Sequence, residues 1–355
     1  MNKFNDIIIF ILFKVLHMIR LLARPFLILF AGLLLVSCGD AQKITSALAI
    51  DQVEKDPAGW PRSIMTSQGL LTLDKPPRRI VSTSVTLSGT LLAIDAPLVA
   101  SGATMPNTNV ASEKGFMRQW DSIAEQRGVK ALYQSEPNAE AIIKAHPDII
   151  IISTTGADSA MRLYDQLKDI APTLVIRYDD KSWLQLAQIF GDLFGLEAQA
   201  KSVIDSFQQQ AAETKESIKL PAQPTTAMVY NPDGSGASIW TSQSAQGRLL
   251  EELGFTLAVI PDSIKGDISM GVRDDIIIAK GERFPDAVTG KSILLFATEQ
   301  ASEQLILDNS FLKNNKAVQN KRVYAVGNDT FRLDYYSATN LLTRLQSLFG
   351  DSSNE

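Results

Sequence analysis

The run Asp148-Ile149-Ile150-Ile151-Ile152 constrains the fold more than any other part of this 355-residue chain. Successive strand residues point to opposite faces, so four β-branched residues in a row make a strand covered on both sides. Thr173-Leu174-Val175-Ile176 repeats the pattern, and Arg79-Ile80-Val81-Ser82 and Leu98-Val99-Ala100 add shorter runs flanking residues 85–94. A strand buried on both faces needs helices on both. The alternation of apolar runs with helical spacing therefore predicts an α/β fold with mostly parallel sheets flanked by helices.

Residues 182–219 contain no proline and carry Leu186, Ile189, Phe190 and Leu193 at helical spacing. The pattern resumes after Gly195 with Ala200, Val203, Ile204 and Phe207, which predicts one short helix and one long one. Pro221 and Pro224 end it. Strand-like runs then restart at Ala227-Met228-Val229-Tyr230, Ile293-Leu294-Leu295-Phe296 and Arg322-Val323-Tyr324-Ala325-Val326, and a final helix is expected over residues 336–349. The expected organisation is two lobes joined by a single long backbone helix: residues 60–197, a connecting helix over 198–220, and residues 221–349, with a short disordered tail at 350–355.

The amino-terminal segment has a different character. Lys14, Arg20 and Arg24 precede an apolar stretch over residues 25–36 that ends in Leu35-Val36-Ser37-Cys38. Basic region, short apolar core and small residues at the cut are the layout of a secretory signal. The core is shorter than the about 20 residues of an ordinary spanning helix. Translation from Met18 instead of Met1 would leave a compact signal. Leu-x-Ser-Cys followed by Gly39-Asp40 resembles the lipobox of bacterial lipoproteins, which implies a signal over 1–37 and acylation of Cys38. Multiple acyl chains anchor firmly where one binds marginally. Residues 38–59, small and polar without a clear period, read as an anchor and flexible tether. The expected location is periplasmic and membrane-anchored.

Charge and residue counts then exclude several functions. Removing residues 1–37 takes away four basic residues and one acid and leaves 30 basic against 38 acidic, net −8, which makes nucleic acid a poor partner. Cys38 is the only cysteine, so disulfides and thiolate metal sites are not available. Beyond His17 in the signal only His146 remains, and a lone histidine before a proline at a helix end is more often a cap or surface residue than a base. No Gly-x-Ser-x-Gly motif marks a nucleophile. Gly290-Lys291-Ser292 is not a phosphate loop, because Pro285 stands at the first glycine position and a strand follows. Gly234-Ser235-Gly236 reads as a turn, and the acid pairs Asp179-Asp180 and Asp274-Asp275 as solvated loop residues. No enzyme activity is expected.

Several phrases make the resemblance specific. Arg79-Ile80-Val81-Ser82, Glu136-Pro137-Asn138-Ala139-Glu140-Ala141-Ile142 with His146-Pro147-Asp148-Ile149-Ile150, and Lys321-Arg322-Val323-Tyr324 resemble the helical-backbone family of ABC-importer binding proteins, which carry iron siderophores, haem and cobalamin. Within that family, further phrases resemble the branch that binds ferric catecholates such as ferric enterobactin, over residues 60–349. They are Ile80-Val81-Ser82-Thr83-Ser84-Val85-Thr86-Leu87, Leu92-Ala93-Ile94-Asp95-Ala96-Pro97, Tyr178-Asp179-Asp180-Lys181-Ser182-Trp183, Ser244-Ala245-Gln246-Gly247 and Thr330-Phe331-Arg332-Leu333-Asp334-Tyr335-Tyr336-Ser337-Ala338.

A ferric tricatecholate is multiply anionic and aromatic. Arginine suits it, being always charged, planar and able to stack on rings. The resemblance implies Arg332 as the principal cation, the competing reading being a surface arginine paired with Asp334. It also implies Trp240 as a cleft aromatic, where composition alone would favour a core residue. Related chains carry an arginine where this one has Asn109, which can hydrogen-bond but cannot neutralise charge, and Arg118 is the nearest substitute. Glu140 and Glu282 match the pair of glutamates, one per lobe, that dock on arginines of the inner-membrane permease. The iron is expected to be held by the siderophore's own oxygens, with no cofactor and no protein metal ligands. Three other readings remain open at this stage: the same fold binding a hydroxamate siderophore, haem or cobalamin; a lipoprotein with structural contacts only; and a hydrolase with an unrecognised site.

Overall fold

A computed structural model describes residues 49–264 and 274–350. The signal, Cys38 and the tail from residue 351 lie outside the described residues.

Ile80–Ser82 (β4), Leu98–Ala103 (β5), Lys130–Gln134 (β6), Ile149–Ser153 (β7) and Thr173–Ile176 (β8) form a parallel sheet in the order β6-β5-β4-β7-β8. All five residues of β7 and all four of β8 are buried, as strands covered on both faces require. The helices that matter for the site are Val85–Ala93 (α1), Asp121–Gln126 (α2) and Ala139–Lys144 (α3) in this lobe, then Trp183–Phe194 (α4) and Glu197–Ser217 (α5). Ser182 and Gln185 close a capping box at the start of α4, and Gly195 ends it with φ +77°. Only Gly195 and Leu196 separate α4 from the 21-residue α5, which leads into the second lobe.

The second sheet has the order β11-β10-β9-β12-β13, built from Thr225–Tyr230 (β9), Gly236–Trp240 (β10), Ile276–Lys280 (β11), Ser292–Leu295 (β12) and Val323–Ala325 (β13). Here β9, β12 and β13 are parallel, while β10 runs against both its neighbours through the Gly234-Ser235-Gly236 turn. Ala245–Glu252 (α6) follows β10, and Tyr335–Phe349 (α7) closes the chain.

Two features depart from the sequence-based expectation. Of the residues taken as a tether, 49–59 are described and carry a strand: Val53–Lys55 (β1) pairs with Arg62–Thr66 (β2), which pairs in turn with Gly69–Leu73 (β3). Hydrogen bonding to β2 and ion pairs create β1, not an apolar period: Lys55 reaches Glu197 at 3.3 Å, and Asp51 reaches Lys181 at 2.7 Å. The other departure concerns α7, which does not stay with the second lobe. It packs on α5 and on α1 of the first lobe. Leu341, Leu342, Leu345 and Phe349 belong to the same buried cluster as Leu87, Leu91 and Leu92 of α1 and Phe207 of α5. Gly89 permits this approach, because a Cβ there would lie 2.2 Å from Asp334 Oδ2.

Candidate ligand-binding cleft

In the order β6-β5-β4-β7-β8 the chain leaves β4 in one direction and resumes on its other side at β7. Open α/β sheets bind ligands outside the carboxyl ends of the strands at such a reversal. Thr83 and Ser84 leave β4 there, and α1 begins at once. Asp158 caps α1 in place of the Ser84 side chain: it accepts from Thr86 N at 3.1 Å and from Ser84 Oγ at 2.5 Å. An acid at a helix amino terminus complements the helix dipole.

Thr83, Thr86, Tyr133 and Asp158 line one side of a pocket of about 200 Å³ at this point, and Phe331 and Arg332 of the other lobe close it. Gly102 forms part of the wall, where a Cβ would stand 2.2 Å from the Thr83 carbonyl oxygen. A smaller recess of about 50 Å³ continues beneath Arg332, between Tyr178, Lys181 and Trp183 of the first lobe and Trp240, Gln246 and Asp275 of the second.

Arg332 stands between the two spaces. Its guanidinium lies 4.7 Å from the Phe331 ring centre and 5.7 Å from that of Tyr178, and forms no ion pair with any described residue. The reading of Arg332 as a partner of Asp334 is therefore wrong: the Asp334 carboxylate accepts from Gln119 Nε2 at 3.0 Å and from Ser337 N at 3.1 Å, capping α7. The Arg332 backbone is fixed instead, since its carbonyl accepts from Ser337 Oγ at 2.7 Å. Gln246, buried in α6, donates to the carbonyls of Phe331 at 2.9 Å and Thr330 at 3.3 Å. An anchored backbone carrying an unpaired guanidinium is a cation held ready for an anion.

The neighbouring groups make the space polar, and its two tyrosines stay neutral. Burial pushes the Tyr178 phenol up to about 12, partly offset by the Arg332 charge, and its hydroxyl donates to Asp158 at 3.2 Å. Burial likewise raises Tyr133, whose hydroxyl donates to the Thr83 carbonyl at 2.9 Å. Asp179 is not simply solvated: it pairs with Arg177 at 2.8 Å and accepts from Thr155 Oγ1 at 2.8 Å. Lys181 is held between Asp51 and Asp180, each at 2.7 Å.

Trp240, at the end of β10, is 3% exposed, and its ring centre lies 6.1 Å from that of Phe331. It is both a core residue and a cleft wall, and its indole Nε1 is buried without a partner. Asn109 and Arg118 are placed differently. Both are exposed, and the Arg118 guanidinium donates to the carbonyls of Thr108 at 2.8 Å and Asn109 at 3.0 Å. Neither lines the two spaces, whereas their neighbours Val110 and Met117 do. Glu140, in the first turn of α3, and Glu282, in the turn after β11, are exposed carboxylates, one on each lobe. Among the described residues no cluster of three His, Cys, Asp or Glu could hold a metal ion. Tyr133 and Asp158 were not legible as site residues, while Tyr178 and Gln246 sat within quoted phrases without being singled out.

Two α/β lobes joined through a long helix, closing on a cleft with aromatic walls and an unpaired guanidinium, define a ligand-capture protein. The family model for periplasmic binding proteins matches residues 80–330, and the chain belongs to that family. It is 53% identical over 292 residues, 82% of this chain and 92% of the relative, to the ferric enterobactin-binding periplasmic protein FepB of Escherichia coli O6:H1 (strain CFT073). The crystal structure of holo-ViuP aligns with a TM-score of 0.75 at 33% identity, covering 82% of this chain and 96% of that one. Staphylococcus aureus SirA complexed with staphyloferrin B shares the fold, with a TM-score of 0.63 at 20% identity, covering 80% of this chain and 97% of that one.

Proposed function

We propose that this chain captures a ferric catecholate siderophore, ferric enterobactin or a close analogue, between its lobes and delivers it to an inner-membrane ABC permease. The observation that carries the reading is Arg332: a guanidinium with no ion pair to a described residue, on a fixed backbone, near the Phe331 and Tyr178 rings and between the two spaces of the cleft. Such a group offers both charge and a flat face to an anionic aromatic ligand. The similarity to FepB over most of both chains supports the same ligand class.

The siderophore's own oxygens would hold the iron, so the protein supplies only orientation, charge and apolar walls. Trp240 backs the cleft, and the loop carrying Asn109, braced by Arg118, forms its rim. Glu140 and Glu282 would meet arginines of the permease, fixing orientation and speeding encounter more than raising affinity. The chain would act in the periplasm, held to a membrane through lipid on Cys38. Uptake of radiolabelled iron by cells whose own periplasmic binding proteins for ferric enterobactin and for ferrichrome are both deleted tests the assignment. This chain restores uptake from ferric enterobactin, and failure to do so while uptake from ferrichrome is restored would overturn it.

A further inference from the structure

A second concavity lies at the other end of the first lobe's strands. Arg79 precedes β4 and Thr83 follows it, so the two ends are about 13 Å apart at the rise of a strand. Arg79, Arg127, Lys130 and Lys144 surround a hollow of about 450 Å³ floored by Leu98, Val99 and Leu132. Helix length explains why it exists. The six residues of α3 span about 9 Å, whereas the six of β5 span about 20 Å, so α3 cannot cover the sheet to its amino end.

The wall contains four cations and no acidic side chain, in a chain whose net charge is −5. Two of the cations are preset by backbone oxygens. Arg79 donates to the carbonyls of His146 at 2.9 Å and Ala145 at 2.6 Å, and Arg127 donates to that of Leu92 at 2.9 Å while pairing with Asp95. Lys130 and Lys144 form no side-chain hydrogen bond or ion pair with a described residue. Like charges gathered around one hollow repel, and a bound anion removes that cost. The volume falls within the about 300–1,000 Å³ of ordinary ligand pockets. The floor is aliphatic and no aromatic ring lines it, which suits an alkyl chain better than a nucleobase.

We propose that this pocket binds a phosphate ester carrying an aliphatic chain, either free in solution or presented as a lipid headgroup. It is separate from the cleft, so occupancy leaves siderophore capture unobstructed. The test is calorimetric titration of the full chain with hexyl phosphate, inorganic phosphate and hexan-1-ol. Hexyl phosphate is expected to bind at one site at least about tenfold more tightly than inorganic phosphate, with no saturable binding of the alcohol. The double variant Lys130→Glu, Lys144→Glu is expected to lose about tenfold or more in hexyl phosphate affinity while binding ferric enterobactin as the parent does, which reports an intact fold. Equal affinity for the two phosphates, absence of saturable hexyl phosphate binding, or binding untouched by the double change overturns the proposal. Where the site holds, lysine-dependent binding to phosphatidylglycerol vesicles assigns the lipid source, and its absence assigns the free ester.

Discussion

Two charged residues two positions apart take different places. Arg332 borders both spaces of the cleft while Asp334 turns inward to cap α7 and meet Gln119 of the first lobe. Charge-assisted contacts are worth about 1.5–3 kcal/mol, so Arg332→Ala should weaken ferric enterobactin binding roughly 10- to 100-fold by equilibrium titration. Arg332→Lys should recover only part, since it restores charge without the planar fork. Asp334 yields a pH prediction. Burial pushes its carboxyl up to about 6 from the usual 3.8, ahead of the hydrogen bonds from Ser337 and Gln119 that lower it. A folded value above the unfolded one means the proton favours the folded state. The stability it contributes is full below pH 3.8 and is lost as pH rises through about 6. The loss is on the order of 2–3 kcal/mol. Denaturant unfolding at pH 4.5 and 7.5 measures it. Asp334→Asn should flatten the difference, because the amide oxygen still caps Ser337 N and, once the Gln119 amide turns over, the amide nitrogen can donate to Gln119 Oε1, which is buried without a partner. An unchanged pH slope in that variant would exclude Asp334 as its source.

Among the elements, the legible ones are those that carry their burial in their own residues. β7 and β8 are buried throughout and apolar except for Ser153 and Thr173, and the α4–α5 pair keeps helical spacing with a glycine stop between, so local pattern specified both. β6 escaped notice because Lys130–Gln134 is an edge strand with no buried residue, formed by pairing with β5. β1 did so for the same reason. Arg332 and Trp240, which line the recess, were singled out only through the family phrases around them, since periodicity says nothing of which lobe a loop will face. Tyr133 and Asp158 join the cleft through strand order, a long-range property that no local stretch encodes. The contact between α1 and α7 was equally invisible, although Gly89 marks it. Gly89→Ala places a methyl against Asp334 and Trp120 and should cost about 1–3 kcal/mol, lowering the melting temperature by several degrees. A melting temperature equal to the parent's would mean that α7 does not seat on α1 as described.

The two lobes each keep a core cluster of their own and share a third that spans both. Phe207 of α5 packs edge-on against Trp183 at 5.0 Å, and Trp183 meets Tyr335 of α7 at 5.7 Å, so apolar packing crosses the junction without a break. A junction of this kind bends little, and closure is expected to be small beside that of proteins hinged on loops. Small-angle scattering should show no resolvable change in radius of gyration on adding ferric enterobactin, whereas a large contraction would refute the rigid junction. The exposed glutamates belong to this scale too. Glu140→Ala with Glu282→Ala should leave siderophore affinity unchanged and abolish uptake in cells, and normal uptake would refute their docking role. The central claim is capture of a ferric catecholate between the lobes, and Trp240 and Trp183 stand in the wall to report it. Tryptophan-fluorescence titration with ferric enterobactin and with ferrichrome tests it most directly. Saturable quenching by ferric enterobactin that Arg332→Ala weakens, with no response to ferrichrome, is the expected result; equal responses to both, or none to either, would contradict it.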